Sequence, residues 1–268
     1  MWVHRSGEFY RERPIVIYEY QKGRDHQKPL SFYKDYKGIL VTDGLQQYHL
    51  VDKKLPRVTN ANCWAHAGRD FADAVKAMDK NDPSAVRNSV AYVALQKIGE
   101  FYNADTELKG LSPEERLQKK QETIQPLVED FFAWVKEQIS QCTVPPKSKT
   151  GQGLQYLIHQ ETYLKVFLTD GDVPIDNSAS ERSIRTFCIG KKNWMFHNTA
   201  NGASASAMVY SISETAKLND LRPYYYFRYI LTELPKRSDE NGNIDPSKLD
   251  DLMPWSSALP DECRKLRC

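Results

Sequence analysis

The sequence predicts an α/β fold in which a mixed sheet is interrupted by a large helical insertion. Three observations carry this reading. Short runs rich in β-branched and aromatic residues, "PIVIYEY" and "KGILVTDG" among them, fill the first sixty residues. From about residue 62 the apolar spacing changes to three and four, the helical period. Beyond residue 170 the pattern is mixed again. Four stretches follow: residues 1–61 as the first part of the sheet core, 62–170 as the helical insertion, 171–235 as the closing part of the core, and 236–268 as a C-terminal tail.

The elements are justified in order. "MWVHR" reads as a short aromatic strand, "RSGE" as a turn and "PIVIYEY" as a second strand. "KPLSFYKDY" is a short helix. "KGILVTDG" is a buried strand with Ile39, Val41 and Asp43 on one face and Leu40 and Thr42 on the other. Gly44 permits a sharp turn directly after Asp43. Trp64, Ala67, Phe71, Ala74 and Met78 form the first helical stripe. Pro83 after Asp82 starts another, continued by Val86, Val90, Val93 and Phe101. Ser112 and Glu115 have capping-box spacing. Leu127, Phe131, Val135 and Ile139 make a third stripe, which Pro126 kinks or splits. Residues 143–153 read as a loop, and "LQYLIHQETYLKVFL" as a helix. A helix begins near Ser178, "GKKNWMFHN" reads as extended and basic, and "ASASAMVYSISETAKL" and "RPYYYFRYILTEL" read as helices. There is no internal repeat.

Composition narrows the function classes. The 268 residues are 40% hydrophobic and 27% charged, an ordinary globular balance. A formal net charge of +2 requires any basic surface to be local. No apolar run is long enough to span a membrane. The N-terminus has no signal-peptide core. Five cysteines at irregular spacing argue for reduced thiols and a cytoplasmic protein.

Two acids stand out. Asp43 ends an otherwise apolar strand, where a carboxylate needs solvent, hydrogen bonds or a cation; the plain alternative is an Asx-type turn beside Gly44. Glu181 lies three residues after Ser178 in a capping-box pattern and four before Arg185, an ion-pair spacing. It also shares the spacing of Ile184 and Cys188, which places it on an inward stripe. A divalent cation shared with Asp43 would satisfy both carboxylates, and hard oxygen ligands suit Mg²⁺. A sheet, a helical insertion and a closing helix are the logic of RNase H-like two-metal nucleases, which act on phosphodiesters. Arg182, Arg185, Lys191, Lys192 and His197 follow Glu181 closely, with Trp194 and Phe196 between them. They read as a phosphate-contacting strip with aromatics for unpaired bases, or as an ordinary solvated face. Cys63 and His66 in "CWAH" have ligand-like spacing but lack a second pair, as do the cysteines of "CRKLRC", so zinc is not expected.

Four motifs in order, "ILVTDGLQQYH", "NCWAHAGRDF", "PIDNSASERSIRTFCIGKKNWMF" and "AMVYSISETAKLNDLRPYYYFRYIL" with its "LMPW" tail, resemble the transposases of the insertion-sequence 66 family, from Trp2 to Trp255. The resemblance implies a DDE-type enzyme with an RNase H-like (retroviral integrase-like) core. Such an enzyme would cut and join the DNA ends of its element, using Mg²⁺ or Mn²⁺. It implies Asp43 as the second acid of the triad and Glu181 as the third. DNA, both element ends and target, is the implied partner. Asn177, Arg182, Arg185, Lys191, Lys192 and His197 are the residues expected to contact it. A second copy or a full-length transposase is a further partner. The family's first Asp lies in an Asp-Glu-Thr motif on a strand upstream of the aromatic strand. Met1 here is followed at once by "WVHR", which resembles the second strand. None of Glu8, Glu12, Glu19, Asp25 and Asp35 stands in that motif, and Gly68 replaces a usually basic residue. The expectation is therefore an N-terminally truncated copy with the first strand missing. The alternative is a catalytically inactive remnant acting, if at all, as a DNA-binding or regulatory partner. A helical interaction protein whose charges are only surface is the reading outside nucleic acids.

Overall fold

The computed structural model describes residues 1–23, 27–79 and 81–265; Asp25 and Cys268, considered above, lie outside the described residues. In chain order the elements are β1 (Trp2–Arg5), β2 (Val16–Glu19), α1 (Gln27–Tyr33), β3 (Gly38–Thr42), α2 (Gln46–Lys54), β4 (Val58–Asn62), α3 (Trp64–Ala67), α4 (Arg69–Lys76), α5 (Pro83–Asn88) and α6 (Val90–Glu107). There follow α7 (Pro113–Lys119), α8 (Gln125–Ser140), α9 (Lys149–Leu164), α10 (Ser178–Trp194), α11 (Ala200–Leu218) and α12 (Pro223–Glu233). The protein is mixed α/β, mostly helical, with small sheets. The single mixed sheet expected from the sequence is seen as two pairs among the described residues. β1 and β2 are antiparallel, with Trp2 opposite Glu19, and β3 and β4 are parallel, with Gly38 opposite Val58. No helix among the described residues is long and apolar enough to cross a membrane.

The chain divides into two compact units, residues 24–178 and residues 1–23 with 179–268. In the first, β3 and β4 lie with helices α1–α9. Trp64 is fully buried at the centre, its ring 5.1 Å from Phe101, 5.9 Å from Phe131 and Phe132 and 6.4 Å from Phe167. Its indole N–H donates to the Leu164 carbonyl at 2.9 Å, so its one polar atom is satisfied. Helix boundaries follow side-chain caps. Asp82 accepts from the Ala85 N–H (2.9 Å), and Ser89 accepts from Tyr92 (3.2 Å). The stripe expected to run from Val86 to Phe101 is thereby broken into two helices. The Ser112–Glu115 capping box has both of its bonds, at 3.3 and 3.0 Å. Pro126 stands in the first turn of α8, directly after a π-helical turn over Lys120–Ile124.

Two expectations fail for one reason. The loop expected over 143–153 ends at Ser148, which caps α9, and residues 149–153 are helical. A Cβ on Gly151 would come within 2.3 Å of the Pro145 carbonyl, and one on Gly153 within 2.9 Å of the Phe71 ring. "GKKNWMFHN", expected to be extended, instead continues α10 as far as Trp194. A Cβ on Gly190 would sit 1.9 Å from the Tyr210 hydroxyl. These glycines allow close approach inside helices; they do not end them. β4 was not expected, because Asn60 and Asn62 look unlike strand residues. Both are buried and paired: Thr42 Oγ1 donates to Asn60, Asn60 to Asn62, and Asn62 to Gln160, each at 2.9 Å.

In the second unit α11 covers the free edge of β2. The Val16 N–H donates to Thr215 Oγ1 (3.1 Å), which donates back to the Val16 carbonyl (3.0 Å), and the Tyr18 N–H donates to Ser211 Oγ (2.8 Å). Two hydroxyls four residues apart on a helix thus satisfy alternate strand groups. Phe187 of α10 and Ala207 of α11 close this core over Val16 and Tyr18. A second core packs Tyr226 and Ile230 of α12 against Leu221, Leu252 and Leu259.

Gly151→Ala and Gly153→Ala should each lower stability by about 1–3 kcal/mol through overpacking. Gly99→Ala, in α6 with open space around it, should raise stability by about 0.5–1 kcal/mol. Urea denaturation of the three variants checks the opposite signs; equal signs would refute this account of the glycines.

Candidate functional site: the ends of β3 and β4 and the helix that follows

Asp43 leaves the end of β3, half-buried. Its Oδ1 accepts the Leu45 N–H at 3.2 Å, an Asx-type turn, and its second oxygen takes no hydrogen bond among the described residues. Gly44 has φ +81°, and a Cβ there would lie 2.5 Å from the Tyr156 hydroxyl. The turn and an available carboxylate oxygen therefore coexist.

The parallel neighbour β4 ends beside it. The Cys63 N–H donates to the Thr42 carbonyl (3.1 Å), and Cys63 Sγ accepts the Asn177 N–H (3.4 Å). The Trp64 N–H donates to the Ile175 carbonyl (3.2 Å). Asp176 accepts the Ser178 N–H at 2.9 Å, at the start of α10. Burial pushes the Cys63 thiol up to about 11, only partly offset by the backbone N–H groups that point at it. Through Cys63 and Trp64, "CWAH" is a splice between β4 and the segment that enters α10. Two side-chain oxygens near Cys63, Tyr156 Oη and Asn177 Oδ1, are buried with no hydrogen-bond partner among the described residues, while the Tyr102 hydroxyl lies against Asp176. Burial, with Cys63 and Asp43 nearby, pushes the Tyr156 hydroxyl up to about 12. Unspent oxygen donors beside Asp43 and Asp176 suit a hydrated hard cation. Among the described residues, however, no three His, Cys, Asp or Glu side chains form a ready metal cage.

The segment from residue 165 to 177 is held by groups that sequence reasoning missed. Lys120, 0% exposed, donates from Nζ to the carbonyls of Val173 (2.6 Å), Phe167 and Asp170 (both 3.1 Å) and Gly171 (3.4 Å). Buried Arg116 donates to the Gly171 carbonyl (2.6 Å) and to Asp172 (2.9 Å). Both cations stand in a stretch that reads as a solvated charged helix, so no sequence signal marked them. Burial pushes Lys120 down to about 8, while Asp105, Asp170 and Asp172 pull it back up.

α10 differs from expectation in its facing and its cap. Its buried stripe is Ala179, Ser183 and Phe187; Glu181 and Cys188 are exposed. The helix starts at Ser178, so Asp176 and not Ser178 receives its first free N–H. The Ser183 carbonyl also accepts the Tyr18 hydroxyl at 2.6 Å, which fixes that residue inward. Arg182 pairs with Glu8 at 2.7 Å. Arg185, Lys191 and Lys192 are exposed and make no ion pair among the described residues. His197 is half-buried, its ring 4.2 Å from Trp194. Asp43 belongs to the unit 24–178 and Glu181 to the other.

Residues 1–205 match the Transposase IS66 family and residues 211–255 the IS66 C-terminal element, and the chain belongs to that family. It is 28% identical over 249 residues to an uncharacterized protein of Sinorhizobium fredii, y4hP, covering 90% of this chain and 44% of that protein. Another from the same organism, y4qI, is 27% identical, covering 91% of this chain and 43% of that protein. The chain thus spans less than half the length of these relatives. No solved structure matches it.

Lys120 gives the unit a distinctive pH response. Between about pH 8 and its ordinary value of 10.5, the unfolded chain keeps a proton that the folded chain has lost. Unfolding free energy should therefore rise with pH in that window, by on the order of 2 kcal/mol from pH 8 to 9.5. Chemical denaturation at several pH values should show this rise in the wild type and lose it in Lys120→Met.

Proposed function

We propose that the chain carries part of an RNase H-like, DDE-type catalytic core that cleaves and joins DNA strands at the ends of an insertion sequence. Asp43 and Glu181 are two of its metal-holding carboxylates. The observation that supports this most is Asp43 itself. It is an acid at the end of a strand, with one oxygen unspent and the orphaned Tyr156 hydroxyl close by, in a chain that matches a transposase family over residues 1–205. Two Mg²⁺ or Mn²⁺ ions, when bound, supply Lewis acidity at the scissile phosphate. The protein's own part is to hold them on fixed carboxylates and to neutralise the DNA backbone. Arg185, Lys191 and Lys192 do the second with free cationic heads, and Arg182 does so after leaving Glu8. Asn177 and His197 complete the contact set as positioning groups near the helix start and end. The protein acts in the cytoplasm, on element ends and target DNA, as a homo-oligomer or with a full-length transposase.

A second reading keeps the DNA-binding face without a complete metal site, as a regulatory partner; it is favoured by the lack of any cluster of three His, Cys, Asp or Glu side chains among the described residues. Mn²⁺ titration separates the two. A working site binds Mn²⁺ and loses at least tenfold in affinity in Asp43→Asn and in Glu181→Gln, with circular dichroism unchanged. DNA binding without Mn²⁺ binding supports the regulatory partner and refutes the catalytic reading for this chain.

A further inference from the structure

The turn between α10 and α11 combines backbone strain, exposed apolar side chains and an acid-free sequence. Met195 has φ +59°, one of three non-glycine residues with positive φ among those described. Its N–H donates to the Lys191 carbonyl and the Phe196 N–H to the Trp194 carbonyl, both at 2.7 Å, so the chain reverses within three residues. Such tight positive-φ turns are rare and strained for residues with a side chain. The residues on either side hold it. Trp194 packs on Phe187 (5.2 Å between centroids) and His197 on Trp194 (4.2 Å), with Tyr210 against Phe187 (5.2 Å). Thr199 then caps α11 by accepting the Gly202 N–H at 3.0 Å. The two residues between these anchors point outward: Met195 is 67% exposed and Phe196 71%. Flexible loops do not need an aromatic brace to lift two large apolar side chains into water. Strain of this kind points toward function.

The charge pattern names the partner. Between Glu181 and Glu214 there is no Asp or Glu, while Arg182, Arg185, Lys191 and Lys192 fall in that interval. Lys191 and Lys192 stand in the last turn of α10, directly before the tip. An apolar tip flanked by unpaired cations suits a polyanion with stacked, apolar faces inside it.

We propose that Met195 and Phe196 form an apolar wedge that enters DNA at an unstacked or unpaired base step, with Lys191 and Lys192 on the flanking phosphates. Large apolar side chains inserted between base steps are a general means of opening a duplex, and they favour steps where stacking is already broken. This rests on the DNA reading above and adds the substrate feature recognised: a distorted step rather than a sequence.

The test uses duplexes with and without one unpaired 2-aminopurine, titrated with the full chain. The wild type should bind the unpaired duplex at least tenfold tighter than the paired one, with a change in 2-aminopurine fluorescence. Phe196→Ala should lose that preference and the signal while binding the paired duplex within twofold of wild type. Met195→Gly should raise the Tm by relieving the turn, and still weaken the preference. Lys191→Ala with Lys192→Ala should weaken both duplexes alike and reduce the salt slope by about two. A preference that survives in Phe196→Ala overturns the wedge, as does a wild type that binds both duplexes equally. A wild type that self-associates through this tip, and becomes monomeric in Phe196→Ala without change in DNA binding, assigns the tip to a second copy instead. A wild type that binds neither duplex fails the DNA reading itself.

Discussion

A buried ammonium holds together the part of the molecule on which the candidate site depends. The chain must return from α9 to the end of β4 through a segment whose apolar residues, Val166, Phe167, Leu168, Val173 and Ile175, are in the core. Burying those side chains drags their carbonyls out of water, and buried carbonyls need donors. A regular element would supply them, but this segment has only the three-residue 3₁₀ turn at Val166–Leu168. Lys120 lies within hydrogen-bond distance of four carbonyls of the segment, two of them (Phe167 and Val173) from these core residues and two from Asp170 and Gly171, and Arg116 supplies a further bond to Gly171. The π-helical turn is the local consequence, since an extra residue per turn is one way to aim a mid-helix side chain into a neighbouring strap. The same need explains Gly171, where a Cβ would strike the Pro113 carbonyl at 1.9 Å. The helical block is therefore more than a spacer between two acids. It holds the residues that immediately precede the helix carrying Glu181.

How legible this was follows from which physical signals reach a linear sequence. Asp43 draws attention because an acid ending an apolar strand is costly where the strand is buried, but β3, expected to be buried, is half-buried or exposed except at Thr42. The Ser112–Glu115 box and the Asp82 cap were legible because capping uses fixed local spacing. Trp64 was legible as core because its stripe is long. The facing of Glu181 was misread because its true inward stripe is Ala179, Ser183 and Phe187, and a small residue and a hydroxyl leave little trace in hydrophobic periodicity. The contacts of Ser183 come from far away in the sequence: Tyr18 donates to its carbonyl and Arg5 to its hydroxyl, each more than 160 residues earlier. β4 and the Lys120 clamp were invisible for a related reason. Asn60, Asn62, Lys120 and Arg116 look solvent-loving until partners from distant segments satisfy them.

The family relation was legible from motifs in order, and it outran the physics of any single residue. "CWAH" shows the difference. Read alone, its spacing raises zinc. In the structure, Cys63 and Trp64 join the end of β4 to the entry of α10 through Asn177 and Ile175, and burial keeps the thiol neutral. The motif is fixed by backbone joinery. The same holds for "PIDNSASER", whose Asp176 secures the helix start while Glu181, farther along, faces solvent.

The near-zero net charge is the least informative number about this protein, and the reason is screening. At physiological ionic strength charges lose sight of one another beyond about 8 Å. The 35 acids all lie outside the interval between Glu181 and Glu214, and among the described residues the one ion pair they make with its cations is Glu8 to Arg182. What decides whether that stretch attracts a polyanion is which of its cations are already spent. Arg182 is bound to Glu8, and Arg185, Lys191 and Lys192 have no ion pair among the described residues. The spent cation lies near the helix start, beside Glu181, and two of the free ones lie in the last turn, beside the strained tip. Favourable phosphate energy is thus greatest where the chain also exposes Met195 and Phe196, whose apolar surface gains nothing from water. Strain, exposed apolar area and unpaired charge are each costly alone, and a partner that is at once anionic and stackable relieves the last two together.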